Sequence, residues 1–416
     1  MTRTSSTACD KPGWRDRMRA WRCIAIGLCL LLGGVVAWPA DPRMSGYAAL
    51  EFRGFPAEPL DRRQSYAEPS FQLQPEFRMD WDQPLLGVTF TPFFRYDYRD
   101  SERTHADIRE LSLSWRQGNW DTRFGVSKVF WGSLEAVHLV DVINQSDLVE
   151  HPDGEEKLGQ PMLNVSYQSE IGRWSLFYLP YFRERTFPGE DGRLRLHPRA
   201  VNDGPVFESS LEEWHPDFSL RWSHSIQSVD LGVYYFRGTT REPSYQLAFS
   251  GTEPVLRPVY DIVHQAGLDL QWAVSDWLWK GEVMFRSGQD QDFSRVGIGF
   301  EYTFHGIFGT AADLGYINEF YYDSMGNNLL NPYERDLATG VRLAFNDLKS
   351  TTLLTAILTD VVDGSSVLTF EATRRLKQNW VLRLEAAAFI SIPRDDYPLN
   401  SFRRDHYIQL GLEYHF

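Results

Sequence analysis

The segment Phe130–Gln160, FWGSLEAVHLVDVINQSDLVEHPDGEEKLGQ, holds the residues best placed to act on a solute. Glu135, Asp141, Asp147, Glu150, Asp153, Glu155 and Glu156 face only one basic residue within it, Lys157. Leu134, Val137, Leu139, Val140, Val142 and Ile143 make the same stretch too apolar to float free in water. Connections of this length are usually functional or disordered. The expectation is that it folds inward and narrows a passage, setting Glu135, Asp141, Asp147 and Glu150 against an arginine-bearing wall. The wall candidates are Arg78, Arg95, Arg116, Arg123, Arg221, Arg295, Arg342 and Arg383. Opposed charges across a narrow, partly desolvated gap create a transverse field that orders water and orients dipolar solutes. Arginine suits such a wall because its fork stays charged and binds carboxylates bidentately. The alternative is a loop that lies outside and binds divalent cations or packs on neighbouring loops.

A wall that presents every second residue to a passage requires strands, and the chain supplies them. Phe71, Leu73, Phe77 and Met79 alternate with Gln72, Gln74, Glu76, Arg78 and Asp80. Val296, Ile298, Phe300, Tyr302 and Phe304 face away from Arg295, Gly297, Gly299 and Glu301. Trp380, Leu382, Leu384, Ala386 and Ala388 oppose Arg383 and Glu385. Many such runs reach the roughly 9–11 residues of a tilted membrane-crossing strand, against about 5–6 for a globular one. Short links such as Gly118-Asn119, Gln227-Ser228 and Ser275-Asp276 alternate with generally longer ones such as Glu184–Pro216 and Ile390–Arg404. The fold expected is all-β: one transmembrane antiparallel β-barrel of about eighteen strands, with sixteen as the alternative, short periplasmic turns and long extracellular loops.

Tryptophan placement fits that frame. Trp120, Trp174, Trp277 and Trp380 begin strands directly after short turns, and Trp81, Trp115, Trp222 and Trp272 lie before such turns. Indole favours the membrane–water interface, so these residues predict an aromatic girdle at the periplasmic rim. The polar faces also carry acids, among them Glu76, Asp97, Glu110, Asp121, Glu282, Glu301, Glu371 and Glu385, whose simplest role is cross-strand pairing.

The ends and the composition agree. Arg15, Arg17, Arg19 and Arg22 precede an apolar run from Ile24 to Val36 and a small-residue site ending at Ala37, the layout of a cleaved export signal over residues 1–37. Met18 is an alternative start. Cys9, Cys23 and Cys29, the three cysteines, all lie in this segment, which leaves residues 38–416 without a disulfide or thiolate site. Those residues hold 36 basic against 54 acidic side chains, which argues against a nucleic-acid partner. Aromatic residues make up 14% and mean hydropathy is −0.38, the balance of a barrel that is greasy outside and wet within. Nucleophile-elbow, HExxH and Walker A patterns are missing, so no catalytic or metal residues, no cofactor and no enzymatic activity are expected. His151, His197 and His215 each precede proline and read as turn residues.

The chain ends on HYIQLGLEYHF, in which Ile408, Leu410, Leu412, Tyr414 and Phe416 alternate with polar or small residues. This terminal strand resembles the assembly signal of the porin-like outer-membrane β-barrels of proteobacteria, and from Gly46 onward the architecture resembles theirs. The run HLVDVINQSDLVE with DGEEKLGQPM is similar to a stretch in an uncharacterised branch of such barrels. The resemblance implies a Gram-negative outer-membrane location, contact with lipid and lipopolysaccharide, and insertion by the barrel-assembly machinery with periplasmic chaperones. It also implies passive passage of small hydrophilic solutes, with a homotrimer as one assembly. Two alternatives stand beside it: a component of lipid or polysaccharide export, and a structural or adhesive surface barrel. No substrate signature is part of the resemblance.

Overall fold

The computed structural model describes residues 42–416 apart from 83–84 and 327–332. The expected export signal, residues 1–37, lies outside the described residues, as does part of the link at Asp82–Pro84. Eighteen antiparallel strands form one sheet, each bonded to the next in sequence. The first nine are Arg43–Gly54, Ala67–Asp82, Leu85–Asp97, His105–Gln117, Trp120–Ser127, Gln160–Ser169, Gly172–Leu179, Asp217–Ile226 and Val229–Thr239. The second nine are Ile262–Val274, Trp277–Ser287, Phe293–Phe304, Asp313–Asp323, Arg335–Ala344, Thr352–Asp360, Ser366–Lys377, Trp380–Ile390 and Tyr407–His415. The eighteenth strand pairs with the first from Tyr47↔His415 to Gly54↔Ile408, so the sheet closes on itself. Phe416 extends this seam: its N–H donates to the Gly46 carbonyl at 3.0 Å, and the Gly46 N–H returns the bond at 3.1 Å. Among the described residues no helix is long and apolar enough to cross a membrane.

Alternation along each strand sorts the two faces. In the last strand Ile408, Leu410 and Tyr414 are 55%, 48% and 40% exposed, while Tyr407 and Glu413 are buried inside. An apolar outer row needs lipid against it, because in water it would be a large exposed hydrophobic surface. Rings gather where the short turns are: Trp120 lies 4.7 Å from Tyr167, Trp277 4.7 Å from Tyr302 and Trp380 5.1 Å from Tyr414. Trp174 and Trp222 meet on adjacent strands there, and Trp115 and Trp272 sit at the same rim.

Prolines mark an interrupted stretch of ladder. Between the second and third strands the register pauses after Leu73↔Phe94 and resumes unchanged at Phe77↔Phe90, which sets Pro75 opposite Pro92. Neither ring has an N–H to give, so the gap loses no bond that either residue could have donated. On its other side Pro92 opens a bulge: Thr91 pairs with Glu110 and Pro92 with Ile108, leaving Arg109 unopposed. A bulge turns the strand by one residue and reverses its facing. Arg109 and Glu110 therefore both belong to the inner side, where strict alternation places only Glu110.

The long connections fold over their end of the barrel. Ser244–Ser250 and Glu253–Tyr260 make a hairpin that adds the short strands Arg199–Ala200 and Val206–Phe207 in parallel. Arg193, buried in the 180–216 connection, pairs with Asp405 at 2.7 Å and ties this lid to the last long loop.

Gly46, at the start of the seam strand, is packed closely against the second strand. A Cβ there would lie 2.4 Å from the Gln74 carbonyl oxygen and 2.7 Å from Pro75 Cα, at a φ of +147°. Gly46→Val is expected to cost about 1–3 kcal/mol, read as a lower urea midpoint of the heat-modifiable folded band on gels. Gly411→Ala, whose Cβ meets nothing nearer than 3.6 Å, is expected to leave that midpoint unchanged.

Candidate functional site: a strap across the lumen

Residues 128–159 leave the fifth strand, cross the barrel and return to the sixth. Near its root the segment is held by apolar contact. Trp131, Val140, Val142 and Ile143 bury themselves against Met162, Phe177, Leu179, Tyr234, Phe236 and Val263. These partners face inward on the sixth, seventh, ninth and tenth strands, so this part of the lumen is a packed core rather than a wet wall. Such burial is worth roughly 1.5–3 kcal/mol gross per side chain.

On the opposite wall the strap is pinned through its backbone. Glu282 of the eleventh strand accepts the N–H groups of Ser133, Leu134 and Leu139 at 2.5, 3.0 and 2.7 Å. Glu319 of the thirteenth strand accepts those of Glu135 and Ala136 at 2.8 and 3.1 Å. Val137 N–H donates to the Tyr321 hydroxyl at 3.2 Å. Carboxylates bonded to amides in this way give charge-assisted bonds, about twice as strong as neutral ones. Gly297 provides the room: a Cβ there would stand 2.3 Å from Leu134 Cδ1. Leu139 packs beside Met284 and Phe293.

The four strap carboxylates have different partners. Glu150 meets Arg95 at 2.7 Å, and Arg95 also reaches Glu51, Ser70 and Gln72. Glu135 meets Arg342 at 2.6 Å, with Lys280 at 3.6 Å. Asp147 pairs with Arg109 at 2.6 Å and accepts from Thr186 Oγ1 at 2.5 Å. Asp141 faces no arginine; it turns inward to Lys157 at 3.3 Å within the strap itself. Burial raises the Asp141 carboxyl above its usual range, with Lys157 opposing.

Of the eight wall arginines, Arg95 and Arg342 thus meet strap acids. Arg221 pairs with Asp269 at 2.7 Å and lies 4.8 Å over the Trp131 ring. Arg295 is divided between Glu242 and Asp323, each at 2.8 Å. Arg78, Arg116 and Arg383 sit toward the short-turn end and pair with Asp80, Asp121 and Glu413 of the wall. The expectation that these three oppose the strap is corrected accordingly. Arg123 lines an opening of about 300 Å³ below the strap with Lys128, Arg173, Arg221, Asn164 and Ser175. A second opening of about 400 Å³ shares Arg173, Arg221 and Ser223 with it and extends along the wall.

Arg109, Lys280, Glu319 and Tyr321 are site residues that the sequence reading missed. For Arg109 the available signal was Pro92, whose bulge turns Arg109 inward. His105, Asp147 and Glu150 lie close enough together to share a metal ion. Arg109 and Arg95 already neutralise the two acids, and their charge opposes a cation there.

His151 does more than shape a turn. Its ring lies 2.7 Å from Asp153 and 2.7 Å from Glu385, and also meets the Tyr407 hydroxyl at 2.7 Å. Burial alone pushes the imidazole pKa down, but Asp153 and Glu385 together outweigh it and raise it to about 10.

The chain matches no family model and no curated protein. Solved structures similar to it include engineered variants of the Rhodopseudomonas blastica porin. A triple mutant of that protein is 11% identical, with 90% of this chain and 100% of that one aligned and a TM-score of 0.44. Another of its mutants gives the same identity, coverage and TM-score.

Because the His151 pKa is raised on folding, its stabilisation is complete below about pH 6.5 and is lost as pH rises through about 10. Thermal stability of the wild type is expected to fall across that window by at most about 5 kcal/mol, and His151→Gln to remove this component. In fold, on the strength of its own strands, their closed seam and their apolar outer face, the chain is a closed eighteen-stranded antiparallel β-barrel.

Proposed function

We propose that the barrel is a passive channel for small hydrophilic solutes, and that the strap and its facing wall form a charged constriction. The observation that carries this reading is the anchoring of residues 133–137 on the wall opposite their own strand, through Glu282, Glu319 and Tyr321. A segment fixed there divides the lumen and leaves the open volume along the wall of Arg123, Lys128, Arg173 and Arg221. Across the strap stand Glu135, Glu301 and Glu371, with Arg342 between the first two. A solute beneath the strap would feel a field directed from the basic wall to the acidic one.

Export by a cleaved leader, insertion by the assembly machinery into a Gram-negative outer membrane and trimer formation belong to the same proposal. Lipid or polysaccharide export would be favoured by a lateral opening, and the paired seam from Tyr47 to Gly54 gives that reading no support.

Purified protein in a planar bilayer is expected to give discrete conductance steps. Replacing both Arg123 and Lys128 with Gln is expected to move the anion-to-cation permeability ratio toward cations roughly two- to threefold. Glu135→Gln is expected to move it the other way. A silent bilayer with correctly folded protein defeats the channel reading.

The buried acids should behave differently. Asp147→Asn leaves the buried Arg109 with only the longer Asp107 pair at 3.2 Å, and is expected to cost up to about 3 kcal/mol locally. Its signature is noisy, unstable conductance and protease cleavage within 128–159, with little change in selectivity.

A further inference from the structure

Nearly every deeply buried carboxylate inside this barrel has a basic partner or amide donors. Asp147 has Arg109, Glu150 has Arg95, Asp217 has Arg241, Asp323 has Arg295 and Asp405 has Arg193. Asp336 breaks the pattern. It begins the inward row of the fourteenth strand, is 2% exposed, and its Oδ2 is buried without a hydrogen-bond partner. Directly across the ladder stands Asp360, 3% exposed, at the end of the fifteenth strand. Residues so opposed carry their Cβ atoms only about 4.5–5.5 Å apart, and like charges there destabilise the sheet.

The surroundings add charge of the same sign. Asp336 is desolvated by burial, and the carboxylates of Asp360, Glu334, Asp363 and Asp396 add charge of its own sign. Asp360 spends its Oδ1 on the N–H groups of Val362 and Asp363, at 2.6 and 3.2 Å. Those bonds do not reach Asp336.

We propose that Asp336 and Asp360 hold a divalent cation of the calcium class at the long-loop end of the lumen. An oxygen-only, acid-rich donor set suits a hard cation, and calcium tolerates the irregular geometry of carboxylates gathered from several segments. Glu334, Asp363 and Asp396 come from three different long-loop segments. An ion bound at the Asp336–Asp360 pair bridges the fourteenth and fifteenth strands at the rim and cancels the repulsion between the paired aspartates. The site is independent of the channel reading, because it lies apart from the basic wall beneath the strap.

The test uses lipopolysaccharide-free full barrel refolded in detergent and stripped with EDTA. Terbium luminescence, sensitised by nearby rings such as Tyr333, is expected to appear on titration and to be displaced by calcium. Binding in the range of roughly 10⁻⁴–10⁻³ M is expected. Asp336→Asn and Asp360→Asn are each expected to lose it, whereas Asp191→Asn, at an exposed acid of the 180–216 connection, keeps it. Calcium is also expected to raise the unfolding temperature of the wild type but not of Asp336→Asn. The proposal is overturned if the wild type binds no calcium at millimolar concentration, or if folded Asp336→Asn binds it equally well. Unchanged or raised stability of Asp336→Asn in EDTA, together with no calcium response in the wild type, identifies a simply protonated Asp336.

Discussion

A chain that crosses lipid with strands has to bond every backbone N–H and C=O to itself, because the bilayer interior offers no replacement. That requirement explains why the sheet is a ring and why its seam is continuous from Tyr47 to Phe416. It also explains how irregularity is tolerated. The pause between the second and third strands is occupied by two facing prolines, and the bulge beside it falls at one of them. Backbone that cannot donate has been collected where donation is interrupted. Gly46 sits against the same spot, since only a residue without a Cβ lets the seam strand approach Pro75.

Closure creates an inner volume, and the strap converts it from a tube into a shaped passage. Two unlike forces hold it: an apolar cluster around Trp131 at its root and captured amides at its far side. The second is the more specific. Irregular backbone inside a barrel has unpaired N–H groups, and Glu282 and Glu319 satisfy five of them with two side chains. A wall of hydrophobic residues could hold a strap but could not fix its register. These carboxylates do so, and the passage beneath inherits a defined shape.

Much of this was legible in the sequence because lipid and water impose opposite demands on adjacent residues. Strand number, the short and long connections and the ring of tryptophans all follow from that alternation. The strap's inward fold was foreshadowed by Leu134, Leu139 and Ile143, which are too apolar for a free loop. Its partners were not legible. Which acid meets which arginine depends on the path of some thirty irregular residues, and nothing in a period of two encodes that path. Asp141 shows the consequence, since Lys157 from its own segment reaches it first. Arg109 was hidden for a different reason. The bulge at Pro92 reverses facing within one strand, so a residue assigned by parity to the lipid lies instead against Asp147.

Charge placement separates structural from solute-facing groups. Where an arginine is buried, as at Arg95, Arg109, Arg193 and Arg295, it is tied to at least one carboxylate within about 3 Å, and its positive charge is largely cancelled locally. Such pairs hold loops and strap in place, and removing one partner would leave a desolvated charge behind. The basic residues of the cavity wall have fewer acids: Asp121 is shared by Arg116 and Arg173, Asp269 serves Arg221, and no carboxylate lies within 4 Å of Arg123 or Lys128 among the described residues. On the proposed channel reading, an ion in the barrel would meet uncompensated positive charge along the wall of Arg123 and Lys128, while the buried pairs contribute little beyond their own neighbourhood. In the proposed channel, selectivity would accordingly rest on a handful of incompletely neutralised side chains, and the far larger number of paired charges keeps those few in position.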